Sequence, residues 1–448
     1  MVIFNPTRRV AILFAFIPLI ALYLIYNFKL HLFINSISTW PTQRQIVTEI
    51  STFARHKLFP WTIKVDAEKE AEEEEEAAAE LALSGRQPFT RHIVAVGDLH
   101  GDLPNARRVL RFANVIDEFG DWSGEVDFFV QTGDIIDRGD DTVMLFLWMD
   151  KLRGQAAAVG DTVLTHLGNH EWMNAIGDWR YVYPSELKTF GTIAARQRML
   201  SSGRIGRSWR KNYTTASRLP LHPSIGPPNT PYPPSLFSFG IQKDDDGLQF
   251  RHGHDEDDPL SHAAISFVHG GLSPSYPELS PFPTRINEIS DSLLEKLQDR
   301  KQPPPHPPNP YPGLPSSATP EESRLYNANG PLWYRGWAMG DEATVCAHVD
   351  DVLAKTGTRR MVMGHTPDFR NIKSRCNGKI IIIDTGISHA YGGVLSALSI
   401  HYTLTPIGDD HSNRWYEKEV VSALYVDRQE ILVTNEREIT GSFFHDNV

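Results

Sequence analysis

Short apolar runs rich in β-branched residues recur along the chain, and each empties into a turn of Gly, Asp, Asn or His. HIVAV (92–96) predicts a strand, and residues 104–116 repeat apolar positions at helical spacing behind a Pro. The plan then repeats, with a strand over 126–132, an acidic turn, and a helix over 142–152. A third unit reads as strand 162–167, the turn GNHE, and a helical segment near 185–202. Strand, charged turn and helix in series are the pattern of an α/β sheet, whose ligands bind at the carboxyl ends of strands.

Regularity stops over about 203–260, which is rich in Pro, Gly, Arg and Asp, and again in the Pro-rich stretch of about 301–323. Both read as insertions, because Pro at that density suits neither helix nor central strand. The apolar runs 263–268, 360–363 and 379–384 resume the core. The last third alternates in VLSALSIHY, EVVSALYV and EILVTN, which predicts antiparallel strands.

Composition changes the picture mainly at the N-terminus. Residues 10–26 carry no charge and follow Arg8 and Arg9, so a transmembrane signal anchor is expected over 10–28, with residues 1–9 cytosolic. The expected protein is therefore single-pass and membrane-bound, with its body on the lumenal or exterior side of the endomembrane system. The sequon at Asn212 is compatible with that side. Residues 29–87 read as a stem and a Glu/Ala-rich acidic spacer, 88–435 as the organised domain, and 436–448 as a tail. A net charge of -11 offers no basic footprint for nucleic acid. Cys346 and Cys376 are too few for a disulfide framework and read as structural thiols or a single bridge. Neither a nucleotide phosphate-binding loop nor a dinucleotide fingerprint is present.

The chemistry lies in the turns GDLHG (97–101), GDIIDRG (133–139), GNHE (168–171), HGG (269–271) and GHT (364–366). A lone His after a strand is ordinarily a hydrogen-bonded structural residue. Five such turns at strand ends would instead gather carboxylates and imidazoles on one edge, where their repulsion demands a cation. Carboxylate oxygen mixed with imidazole nitrogen suits Mn, Fe or Zn. Asp98 and His100, two apart on an extended strand end, are expected to point the same way. With Asp134 as a bridge, Asn169, His269 and His365 would complete a second ion. Two ions about 3.5–4 Å apart activate a water for in-line attack on phosphorus. Asp140 and Asp141 fall where a helix begins and read as helix-capping acids.

The ordered set GDLHG…GDIIDRG…GNHE…HGG…GHT resembles the calcineurin-like metallophosphoesterase signature in its PPP-type protein phosphatase version. PLWYRGW (331–337) and IDTGISHAYGG (383–393) are most similar to the Shewanella-like phosphatases. The resemblance implies a four-layer α-β-β-α sandwich with two central mixed sheets and two divalent or mixed-valence metal ions. It implies that Asp98, His100 and Asp134 hold one ion, and Asp134, Asn169, His269 and His365 the other. It further implies that Arg138, Arg335 and Asn169 bind phosphate, and that His170, oriented by Asp137, protonates the leaving group. The function so implied is a membrane-anchored phosphomonoesterase acting on Ser/Thr or Tyr phosphoproteins. The competing readings are a polyphosphate or dinucleoside polyphosphate hydrolase on the same core, and a scaffold that binds partners through its Pro-rich loops. His92, His166, His348 and His389 lack the turn context and read as structural.

Overall fold

The computed structural model describes residues 87–233, 259–408 and 412–443. Twelve strands are present there: β1 Phe89–Val96, β2 Phe128–Gln131, β3 Thr162–His166, β4 Tyr213–Thr214, β5 Ala216–Pro220, β6 Ala264–Val268, β7 Arg360–Met363, β8 Lys373–Arg375, β9 Ile380–Ile382, β10 Ser396–Ile407, β11 Arg414–Tyr425 and β12 Gln429–Thr440. They form a seven-stranded sheet of order β12-β11-β10-β1-β2-β3-β4 and a five-stranded sheet of order β5-β6-β7-β9-β8. Both sheets are mixed. Strands β1 to β4 run parallel, and the long β10–β12 meander is added antiparallel to β1. In the second sheet β6, β7 and β9 are parallel, with β5 and β8 antiparallel at the edges.

The period-2 alternation of β1 decides the layering. Ile93 and Ala95 join Leu398 and Ile400 in a buried cluster with Ile265, Phe267, Val362 and Ile381 of the other sheet. The two sheets therefore pack face to face. Val94 and Val96 belong instead to the cluster that contains the helical residues Val109, Leu145 and Met149. On the second sheet, Met361, Met363, Ile380 and Ile382 likewise join Leu293, Val349 and Val352. Helices cover the outer faces, as the four-layer expectation required. Strand β2, FFVQ, is buried along its whole length, which explains its unbroken apolar run between parallel neighbours.

The helices are α1 Leu103–Phe112, α2 Thr142–Ala158, α3 Asn169–Ile176, α4 Pro184–Phe190, α5 Ile193–Leu200, α6 Arg204–Asn212, α7 Thr284–Asp299, α8 Pro320–Tyr326, α9 Gly336–Met339 and α10 Glu342–Thr356. Three boundaries differ from the sequence pattern. GNHE is the start of α3, because the Glu171 carboxylate accepts the Gly168 N–H and caps the helix in place of a turn residue. Regular structure continues past residue 203 through α6, β4 and β5, held by buried Ile205, Trp209 and Tyr213. Strand β12 runs to Thr440, past the boundary placed at 435, because it pairs with β11 as far as Arg414. The Pro-rich stretch forms no helix or strand over 301–319, and it is pinned where His306 donates its N–H to Gly177 and accepts that of Trp179.

Cys346 and Cys376 form a disulfide that ties α10 to the β8–β9 turn. Membrane placement requires correction. Among the described residues no helix is long and apolar enough to cross a membrane, so the expected transmembrane helix, membrane partner and lumenal localisation are not sustained. The segment 10–28 on which they rested lies outside the described residues, as do the acidic spacer and the tract 234–258.

Candidate active site

Parallel strands of both sheets deliver the site. The carboxyl ends of β1, β2 and β3 carry Asp98, His100, Asp134, Asn169 and His170, while those of β6, β7 and β9 carry His269, His365 and Asp384. The strand ends thus converge from two sheets, where one sheet edge was expected. Asp98, His100, Asp134, Asp137, Asn169, His170, His269, His365 and Asp384 are all buried.

The turns are not relaxed. His100, Asp134, Asp137, Arg138 and His365 have φ of 43°, 56°, 71°, 62° and 67°, the left-handed region that costs a non-Gly residue about 1 kcal/mol or more. Asp98 and His100 therefore do not lie on an extended strand end, and their convergence comes from this bend. Two devices hold the bend. Glu171 accepts the N–H groups of Asp134, Ile135 and Ile136 as well as that of Gly168. The first and second turns also touch so closely that a Cβ on Gly101 would sit 2.7 Å from the Gly139 backbone, which explains glycine at both positions.

Around Asp134 the polar groups face one another. His269 Nδ1 lies 2.9 Å from the Thr132 carbonyl, to which it donates. Its Nε2 faces Asn169 Oδ1 at 2.8 Å and Asp134 Oδ2 at 3.3 Å. His100 repeats the arrangement, with Nδ1 3.0 Å from the Ile136 carbonyl and Nε2 3.7 Å from Asp134 Oδ2 and 3.9 Å from Asp98 Oδ2. Burial and the neighbouring His170 lower His100 to about 3, so its ring is neutral near pH 7. Burial likewise holds His365 well below the ordinary imidazole value, and its Nε2 is buried with no partner. Carboxylate, amide and imidazole groups that converge in this way are a donor set that fits first-row divalent metals.

Two buried groups have ligand atoms mutually within 4.8 Å: His100, Asp134 and His170, and Asp134, His269 and His365. Asp134 is common to both. His170 lies within the first group, and Asp98 stands beside it with Oδ2 3.9 Å from His100 Nε2. Asp98 also accepts the His365 N–H at 3.2 Å and shares a hydrogen bond with Asp384. Burial and the mutual repulsion of these acids raise Asp98 well above the usual carboxylate range, and burial raises Asp384 to about 6.

His170 Nδ1 lies 2.7 Å from Asp137 Oδ2, and Asp137 is also held by Asn174 Nδ2 at 2.9 Å. Burial alone would lower His170, but the Asp134 and Asp137 carboxylates outweigh it and raise its pKa. A ring whose charged form is favoured in this way is a poorer metal ligand and a better proton donor. Arg335 donates through Nη1 to the His365 carbonyl at 2.8 Å and to Thr366 Oγ1 at 3.1 Å. Arg138 lies between Tyr181 and Tyr391. Of the two acids read as helix caps, Asp141 does precede α2, but its carboxylate accepts the Leu103 N–H of α1.

Sequence reasoning missed Asp384, Asn174, Arg196, Glu171, Tyr181 and Tyr391. Asp384 carried the same signal as the other turns, an acid directly after the apolar run that forms β9.

Two mixed sheets bring acids, imidazoles and guanidinium groups together at the carboxyl ends of their strands, the arrangement of a phosphoester hydrolase. A model of the calcineurin-like phosphoesterase family matches residues 91–369, and the chain belongs to that family. It is 32% identical over 313 residues to an uncharacterized protein of Schizosaccharomyces pombe, covering 69% of this chain and 76% of that one. It is 28% identical over 315 residues to Shewanella-like protein phosphatase 2 of Arabidopsis thaliana, covering 66% and 71%. Among solved structures, a cold-active protein-tyrosine phosphatase of a psychrophilic Shewanella species aligns with a TM-score of 0.50 at 21% identity, over 76% of this chain and 80% of that one, a likeness of fold. The resemblance read from the turns is upheld.

Proposed function

We propose that this phosphoester hydrolase is a metal-dependent phosphomonoesterase whose substrates are phosphoproteins. The observation that carries the reading is the convergence of buried His100, Asn169, His269 and His365 around the Asp134 carboxylate. Asp98, His100, Asp134, Asn169, His269 and His365 would hold two divalent ions of the Mn, Fe or Zn class. Such ions, when bound, supply Lewis-acid charge and lower the pKa of water.

The chain's own residues do the rest. Arg138 and Arg335, with Asn169, bind the phosphate oxygens, a task for which the planar guanidinium fork is suited. His170 keeps Nδ1–H on Asp137, which leaves the Nε2 proton for the departing oxygen. Asp137 orients the ring and stabilises its charge, and Asn174 keeps Asp137 in place. The names of the phosphatase relatives support a phosphoprotein substrate.

Turnover of phosphoseryl, phosphothreonyl and phosphotyrosyl peptides beside polyphosphate, with Mn2+ present, tests this substrate class. Peptide monoesters are expected to be the faster substrates. Faster release of phosphate from polyphosphate contradicts the reading.

A further inference from the structure

Arg138 directly follows Asp137 and stands four residues after Asp134 in sequence. A guanidinium among acids in sequence would ordinarily pair with one of them. It does not. Among the described residues the Arg138 side chain forms no ion pair, and its Nε is buried without a hydrogen-bond partner.

Two aromatic rings take the place of the missing carboxylate. Arg138 Cζ lies 4.2 Å from the Tyr181 ring centroid and 4.9 Å from that of Tyr391. The Arg138 backbone N–H donates to the Tyr181 carbonyl at 3.1 Å, so the two segments are tied at the main chain as well. Tyr391 is fixed within the loop after β9 by its own N–H to Ser388, and its ring lies 5.3 Å from His100. The Tyr181 ring lies 4.9 Å from His170.

We propose that Tyr181 and Tyr391 are positioning residues that hold the Arg138 guanidinium open for phosphate. An aromatic face attracts a cation without using any of its N–H groups, which lie in the guanidinium plane. A carboxylate partner would consume two of those donors and offset the charge. Contact with the rings therefore leaves Arg138 in place, fully charged and with donors free for an incoming anion. The inference rests on the reading of Arg138 as a phosphate ligand and adds what keeps it competent.

The test uses the full-length protein with Mn2+. Inorganic phosphate binding is measured by calorimetry, and KM and kcat with an aryl phosphate, for Tyr181→Leu, Tyr391→Leu, the matching Phe variants and Arg138→Ala. Each Leu variant is expected to weaken phosphate binding and raise KM by roughly 3- to 20-fold, with a smaller change in kcat. Phe, which keeps the ring, is expected to restore most of that affinity. In the Arg138→Ala background the Leu changes are expected to have no further effect on phosphate binding. Where Leu lowers the melting temperature, Tyr→Met reads the same quantity. Leu and Met variants that bind phosphate like the parent, while Arg138→Ala does not, overturn the positioning role alone. Unchanged phosphate binding in Arg138→Ala overturns the phosphate-ligand reading and the positioning role with it.

Discussion

His170 Nδ1 stands 2.7 Å from an Asp137 carboxylate oxygen, and both side chains are buried. A buried imidazole paired in this way presents its other nitrogen as an acid. Replacing His170 with Asn should lower kcat by about 10²- to 10⁴-fold on an alkyl phosphate, whose leaving oxygen needs the proton. The loss should be much smaller on p-nitrophenyl phosphate, whose leaving group departs as an anion. Steady-state rates on the two esters check this; equal losses on both would remove His170 from proton transfer.

Asp137 is itself held by buried groups. Asn174 donates to it at 2.9 Å, and fully buried Arg196 bonds Asn174 Oδ1 at 2.6 Å and Glu186 Oε1 at 3.0 Å. Asn174→Ala removes a hydrogen bond to a charged acceptor, worth about 1.5–3 kcal/mol. The expected outcome is kcat reduced by about 10- to 160-fold, the rate equivalent of that energy, with little change in KM. Kinetics on the aryl phosphate give the answer, and a change confined to KM would place Asn174 in substrate binding instead.

The Cys346–Cys376 bridge closes a segment of sequence separation 30, for which loop entropy predicts about 3–4 kcal/mol of stabilisation. Thermal unfolding with and without dithiothreitol, beside the double Ser variant, checks it. The reduced parent and the double variant should melt together, below the oxidised protein.

Acid stability should depend on a buried pair far from the cleft. Arg360 grips Glu419 through Nε at 2.9 Å and Nη2 at 2.7 Å. Burial alone would raise Glu419, but Arg360 and Arg359 outweigh it and hold its pKa below the ordinary carboxylate value. The unfolded chain takes up this proton near pH 4.3 (roughly the model-peptide value), so the contribution is complete above that pH. It is lost as pH falls through the depressed native pKa. Glu419→Gln should cost about 3–5 kcal/mol near pH 7, because Arg360 is left buried and unpaired. Urea unfolding at pH 7 and at successively lower pH below about 4 should show the difference between parent and variant shrinking as pH falls.

The part of this protein legible in its sequence is the part written by local pattern. Apolar runs followed by Gly, Asp and His marked the strands β1, β2, β3, β6 and β7 and the turns that carry His100, Asp134, His269 and His365. What stayed hidden depends on approach in space. Arg196 and Glu186 lie in unremarkable helical sequence and matter only because α4 and α5 fold beneath Asp137. Tyr181 is one aromatic among many until its ring meets Arg138. The left-handed φ values of His100 and Asp137 are only faintly signalled, since Asp and His visit that region more than other non-Gly residues yet mostly lie outside it. GDIIDRGDD, uniformly acidic as text, divides in space into buried Asp134 and Asp137, exposed Asp140, and Asp141, which serves α1.

Mn2+-dependent hydrolysis of an aryl phosphate, compared between the parent and Asp134→Asn, tests the central claim most directly. Asp134 belongs to both ligand groups, so its loss should disable both at once. Activity in the parent should be removed by a chelator and restored by added Mn2+, with no recovery in the variant at any Mn2+ concentration. An Asp134→Asn protein that turns over like the parent, or parent activity indifferent to chelation, would rule out a metal centre built on Asp134.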